Sequence, residues 1–360
     1  MTISKYANRI IYLDYLRVLA ILGVLLNHIS DNWKHSAVMN WDIALIYNSF
    51  GRIGVPVFLM LTGVLLLNNK LPIKDFIKRR YPRVIIPFLF WMTLLIGYFI
   101  VLNPNLINNN LIYYIIERYL SDRWYVWMIL GVYLIIPIFA AFIKSSKLEG
   151  VKYFLIIWLF TTSLFTLSVI FNFSMHYLDL VVFSGPIGFL MLGYYLHNNE
   201  FSWNPKKIVL LSFVIFIIIT FVKFLIMAQH HFDPYLFRYY IFTTKSRLEI
   251  DPFSVIQVCA LFLLVKYIPN VSSGFLNKVS TFANKKVVLA LIISISQASY
   301  GIYLNHYFIT KTLKDFSFPF NDLPSLIFVP ILTVSVLLIS YCVIILLNRV
   351  PVINKLTGFH

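Results

Sequence analysis

The sequence predicts an all-α polytopic integral membrane protein, about ten transmembrane helices in one bundle with both termini cytoplasmic. Three observations carry that expectation. Apolar residues make up 60% of the 360-residue chain and charged ones only 12%, with a mean hydropathy of +0.81, whereas soluble domains carry about 25% charged residues. Apolar runs long enough to cross about 30 Å of hydrocarbon recur along the whole chain. The 30 Lys and Arg gather in short segments between those runs, where the positive-inside rule expects them. The net charge of +16 therefore reads as topology and not as a nucleic-acid surface.

The runs fall at roughly 10–30, 45–68, 84–103, 124–143, 153–173, 178–197, 207–228, 250–268, 287–310 and 325–348. Only the short turn FSMHY separates the fifth from the sixth. An even count puts both termini on one side. With the N-terminus inside, nineteen Lys and Arg fall on inner segments and eight on outer ones, with Arg17, Arg52 and Lys223 inside runs. That asymmetry places both termini in the cytoplasm and the chain in the cytoplasmic membrane as a multi-pass protein. No 20–50-residue repeat or low-complexity linker divides it, so residues 1–360 read as a single membrane domain. The chain stops at His360, soon after the tenth run, and no fused soluble domain is expected. The first run is long, interrupted by charge and without a small-residue cleavage site, which argues against a cleavable signal peptide. Cys259 and Cys342 both lie inside runs, and no metal or thiol site is expected.

In the first run, IIYLDYLRVLAILGVLLNHIS, Asp14, Arg17 and His28 stand where a plain anchor would have apolar residues. Ionisable groups in a span are costly and usually face a bundle interior or a wet cavity. Arg17 and His28 are eleven residues apart, close to three turns, so they share a face about 16 Å apart along the axis. Asp14, one turn before Arg17, is placed to pair with it. His28, with an ordinary pKa near neutrality, suits proton abstraction from a hydroxyl. Its bland counterpart is an interfacial histidine bonded to a neighbouring helix; the shared stripe with Arg17 and Asp14 favours function.

In the second run Arg52 lies near the outer end, at the depth of His28. It either snorkels to the interface or lines the same cavity, and the nearby Gly-Val-Pro offers a kink. The following loop, KLPIKDFIKRRYPR, has six basic residues in fourteen, among them Arg79, Arg80 and Arg83. Arg80 and Arg83 are one turn apart, and paired guanidinium groups suit phosphate oxygens; a basic inner loop can equally fix topology or touch anionic lipid. RYLSDRWYVW at 118–127 fits an interfacial aromatic belt, with sugar stacking the lesser reading. The outer loop 229–251 is polar and aromatic enough to cap a site, but His230 and His231 lack zinc-ligand spacing. The ninth run holds SISQASYGIYLNH at 294–306, the most polar of the set. Ser296 and Gln297 are well explained as helix-to-helix glue; Ser299, Tyr303 and His306 are cavity candidates, with His306 toward the outer end.

With these residues in place the chain resembles the membrane-bound acyltransferase-3 family. The likeness rests on RVLAILGVLLNH from Arg17 to His28, an Arg followed by ten residues and a His. It extends to GVPVFLMLTG, RYPR at 80–83, RWYVWMILGVYLIIP at 123–137 and SYGIYLNH at 299–306, in order along the chain. The resemblance implies transfer of an acyl group, usually acetyl, from cytoplasmic acetyl-coenzyme A to a hydroxyl of a cell-surface glycan or glycolipid in a bacterial envelope. It implies His28 as base or transient acyl acceptor, Arg17 as essential in the channel, and Arg80 and Arg83 on the coenzyme phosphates. Many members carry a fused extracytoplasmic esterase-like domain; without one, the expectation is direct acylation of the acceptor or a separate extracytoplasmic partner protein. The competing reading is a transporter or flippase whose polar path is Asp14, Arg17, His28 and Arg52, and a third is a structural subunit of a glycan-synthesis complex. No internal repeat or matched pair of broken helices is visible to favour transport.

Overall fold

The structure, a computed structural model, describes residues 9–33, 38–68, 72–102, 124–171, 185–228, 250–271 and 274–359, with isolated positions 104, 113, 115 and 117. Every regular element among them is helical. In chain order these are α1 (Ile11–Ser30), α2 (Val38–Gly51), α3 (Gly54–Leu66), α4 (Ile73–Leu102), α5 (Trp124–Phe171) and α6 (Ile187–Asn198). They continue with α7 (Pro205–Ala228), α8 (Pro252–Tyr267), α9 (Gly274–Ala283), α10 (Lys286–Asp315) and α11 (Ser325–Asn348). Helix is the expected form, because hydrocarbon offers the backbone no hydrogen-bond partner and a helix satisfies its own.

Eight of these stretches among the described residues are long and apolar enough to cross a membrane, against the ten runs of the sequence. Two differences explain most of the gap. The runs at 124–143 and 153–173 fall in one 48-residue stretch, α5, which breaks at Lys147 with φ 54° and ψ −152° inside the polar segment KSSKLEG. The run at 178–197 is described only from Gly185 onward, as the 12-residue α6; its first part lies outside the described residues.

The second run is itself discontinuous. Arg52 and Ile53 separate α2 from α3, and Pro56 sits in the first turn of α3, where its missing N–H costs no hydrogen bond. Glycines let this break press onto α1. A Cβ at Gly51 would stand 2.7 Å from the Asn27 nitrogen, and one at Gly54 2.8 Å from the Val24 nitrogen. The α3–α6 crossing is as tight, with a Cβ at Gly63 falling 2.0 Å from the Leu190 carbonyl oxygen. Small residues at crossings are how spans gain packing energy when lipid removes the hydrophobic drive between them.

α1 is the centre of the bundle, packed by α2, α3, α8, α10 and α11. α10 also meets α4, and α5 meets α4 and α6. On the periphery α7 exposes Leu210, Phe213, Ile217 and Phe221, an apolar face suited to lipid. Of its lysines, buried Lys223 turns inward and donates to Ser254 Oγ (2.9 Å) and Gln257 Oε1 (3.0 Å). Ser254 in turn donates to Asp251, which caps the first turn of α8 ahead of Pro252. Gln257 reaches the Ser49 carbonyl of α2 at 3.0 Å, so α2, α7 and α8 are bound by one polar network.

Gly63→Ala and Gly54→Ala are expected to cost about 1–3 kcal/mol each by overpacking against backbone. Thermal unfolding in detergent would show lower midpoints for both. Gly97→Ala is the control: its Cβ meets nothing within 4 Å, and its midpoint should not fall.

Candidate functional site

The site grows from the N-terminal turns of α1. Asp14 is buried, at 3% exposure, and a carboxylate taken out of water needs donors. It finds them in Arg9, whose Nε and Nη2 each donate at 2.7 Å, and in Ser296 of α10, whose hydroxyl donates at 2.6 Å. Arg17 lies 3.9 Å from the same carboxylate and donates to Ser296 Oγ at 3.1 Å. The expected Asp14–Arg17 pair is present, but Arg9 holds Asp14 more closely. Arg9 stands before the helix begins, and helical spacing gives no signal for it.

Held from below, Arg17 lines a cavity of about 240 Å³. Arg80 and Arg83 of α4 join it there, so three guanidinium groups from two helices face one space. Arg79 is exposed and is not part of the lining. The wall opposite the charges is apolar, from Phe58, Leu61 and Leu65 of α3. Gln297, Ser299, Tyr300 and Tyr303 of α10 line it too, with Tyr125 and Tyr133 of α5. Tyr125, expected in an interfacial belt, is instead buried with its ring 5.1 Å from Tyr303. Its neighbour Trp127 is exposed, in keeping with a belt. Tyr133 is a lining residue that the sequence reading missed, since one tyrosine in an apolar run carries no signal. Residues 118–123, His230 and His231 lie outside the described residues.

His28 is not in this cavity. It is exposed, and its ring stacks on buried His306 with centroids 5.3 Å apart and planes 30° from parallel. His306 Nδ1 is 2.6 Å from the Tyr303 carbonyl oxygen, an acceptor, so Nδ1 carries the proton in that bond. The Tyr303 ring is 5.8 Å from His306 and also lines the cavity. The polar stripe expected along α1 is therefore two compartments divided at Tyr303. One is the arginine cavity; the other is the histidine pair.

Arg52 neither snorkels nor lines the cavity. Buried at the α2–α3 break, it donates to Asn48 Oδ1 at 2.9 Å. Asn48 donates in turn to Asn27 (2.6 Å) and Asp31 (3.0 Å), which ties α2 to the end of α1 beside His28. Among the described residues no group of three or more His, Cys, Asp or Glu is placed to hold a metal ion.

Chemically the two compartments differ. The first offers cations for an anionic group and an apolar wall for a thin chain. The second offers an imidazole that can take a proton. A family model described as an acyltransferase domain, acyltransferase-3, matches residues 10–345. No curated protein and no solved structure matches the chain.

Removing a donor from buried Asp14 should be costly. Arg9→Ala and Ser296→Ala are each expected to lower stability by about 1–3 kcal/mol, the range for bonds to a charged group. Thermal unfolding checks this, and midpoints equal to wild type in both would show that these bonds do not hold Asp14.

Proposed function

The chain belongs to the acyltransferase-3 family, and from that premise we propose that it is a membrane O-acetyltransferase of the bacterial cell envelope. It moves an acetyl or other small acyl group from cytoplasmic acetyl-coenzyme A to a hydroxyl of a surface glycan or glycolipid. The observation that carries the reading is the convergence of Arg17, Arg80 and Arg83 on one cavity, with His28 and His306 beyond Tyr303. The segment WDIALIYNSFGRIGVPVFLMLTG resembles the enterobacterial common antigen O-acetyltransferase and supports an O-acetyltransferase of that kind. The excess of Lys and Arg on the segments flanking the Arg17 end supports cytoplasmic termini in the inner membrane.

In this reading the coenzyme's phosphates sit on Arg80 and Arg83, at the cytoplasmic end. Bidentate guanidinium contacts suit them. The pantetheine arm follows the apolar wall past Arg17 and brings the thioester to the Tyr125–Tyr303 layer. His28 takes the proton from the acceptor hydroxyl. The oxygen attacks the thioester carbonyl, the C–O bond forms, the C–S bond breaks, and coenzyme A leaves as a thiolate. That thiolate takes up a proton, so the sum is an ester and a free thiol. Lipid surrounds the bundle, and no metal is invoked.

Release of coenzyme A thiol from acetyl-coenzyme A, with a crude surface-glycan extract as acceptor, tests this in detergent. His28→Ala is expected to lower kcat by about 10²–10⁴-fold, the usual worth of a general base. Arg80→Ala/Arg83→Ala is expected to raise the donor KM at least tenfold, since each lost charge-assisted bond is worth about 1.5–3 kcal/mol. Absence of thiol release from the folded wild type, with donor binding unchanged in both variants, would sink the enzyme reading.

A further inference from the structure

A second cavity lies at the opposite end of α1 from the arginines, one turn past His28. Its volume is about 280 Å³, near the lower end of small-molecule pockets. Asp31 and Asn32 enter it from the end of α1, Lys314 from the end of α10, and Phe318, Phe320 and Asp322 from the segment before α11. Resting on the acyltransferase reading above, we propose that this cavity binds one neutral pyranose ring of the acceptor glycan and presents its hydroxyl to His28.

Three observations carry the assignment. The first is position. Asn32 Nδ2 donates to the Ile29 carbonyl (2.8 Å) and to the His28 carbonyl (3.4 Å), so the cavity wall is built onto the turn that bears the exposed imidazole. The second is the donor and acceptor set. Two carboxylates accept from ring hydroxyls, while the Lys314 ammonium group can donate to them, which is the mixed demand of a polyol. The third is the aromatic component. Phe318 packs on Phe320 with ring centroids 4.8 Å apart, and Phe320 stands edge-on to buried Trp33 at 5.7 Å. That stack fixes an apolar surface beside the polar groups, matching the C–H face of a pyranose.

Charge selects among sugars. Among the described lining residues Asp31 and Asp322 oppose one cation, Lys314, so an acidic sugar or a phosphate is disfavoured here. The arginine cavity has the reverse balance. The two ends of α1 thus discriminate their ligands by sign: anion at Arg17, neutral polyol beyond His28.

Binding is measured directly and without turnover. Saturation-transfer difference NMR would use the methyl glycosides of glucose, galactose, mannose and N-acetylglucosamine with the full-length protein in a sugar-free detergent. Wild type is expected to show saturation transfer to at least one glycoside, weakened at least tenfold in Asp322→Asn and in Phe318→Ala. Both positions are solvent-facing or half-buried, and thermal midpoints equal to wild type would confirm folding. Arg80→Ala/Arg83→Ala should bind the same glycoside as wild type does. No transfer from any of the four glycosides, or equal transfer in both cavity variants, overturns the proposal. Sugar binding without thiol release would sink the acyltransferase reading alone; thiol release without sugar binding would sink this one alone.

Discussion

The buried carboxylate of Asp14 is the constraint on which the site depends. At 3% exposure it must be neutralised within the protein, and its donors come from the chain before α1 and from Ser296 of α10. Those bonds fix how far α1 is inserted against α10 and which way it is turned. Since Arg9 supplies the two short contacts, Arg17 is left at 3.9 Å, free to turn its guanidinium to the cavity while Ser296 steadies it. A single pair of Asp14 with Arg17 would have consumed the charge that the cavity displays.

The same rule governs the other polar groups buried in the bundle. Arg52 is absorbed by Asn48, which reaches Asn27 and Asp31, and Lys223 by Ser254 and Gln257. Both networks meet on α2, at Asn48 and Ser49. They hold the broken second run in place, and the glycines at 51 and 54 allow its backbone to touch that of α1. Pairing satisfies the charges and close approach supplies dispersion contact, so α1 is held on one side by α2–α3 and on the other by α10. The arginine face is what remains open between them.

Much of this was legible in the residues because helical periodicity is strict. Arg17 with His28, and Arg80 with Arg83, are spaced by near-whole turns, and each pair shares a face. Arg17, Arg80, Arg83, Ser299 and Tyr303 do line one cavity, and His306 does meet His28. What could not be read depends on contacts between helices. Arg52 lies at the depth of His28, yet depth does not reveal that Asn48 would claim it. Arg79 and Arg80 look alike in composition and both are spaced to meet Arg83, yet only Arg80 lines the cavity with it. Tyr125 and Tyr133 are single polar tips in apolar runs, indistinguishable in sequence from tyrosines of a belt. The break at Lys147 turns on local φ and ψ, which hydropathy does not see.

The division at Tyr303 is what the linear pattern hides most completely. Along α1, Arg17 and His28 look like the two ends of one polar track, about 16 Å long. In three dimensions Tyr303, packed on Tyr125, lines the cavity of Arg17, and the same Tyr303 ring stands 5.8 Å from His306. An open polar track across a bundle would pass protons and ions as readily as substrate. Each compartment keeps its own chemistry, guanidinium groups in one and imidazoles in the other. That ring's neighbour His306 is bonded to its backbone carbonyl, so movement of Tyr303 is felt at the histidine pair. The two compartments thus meet at one residue, on the helix that also anchors Asp14.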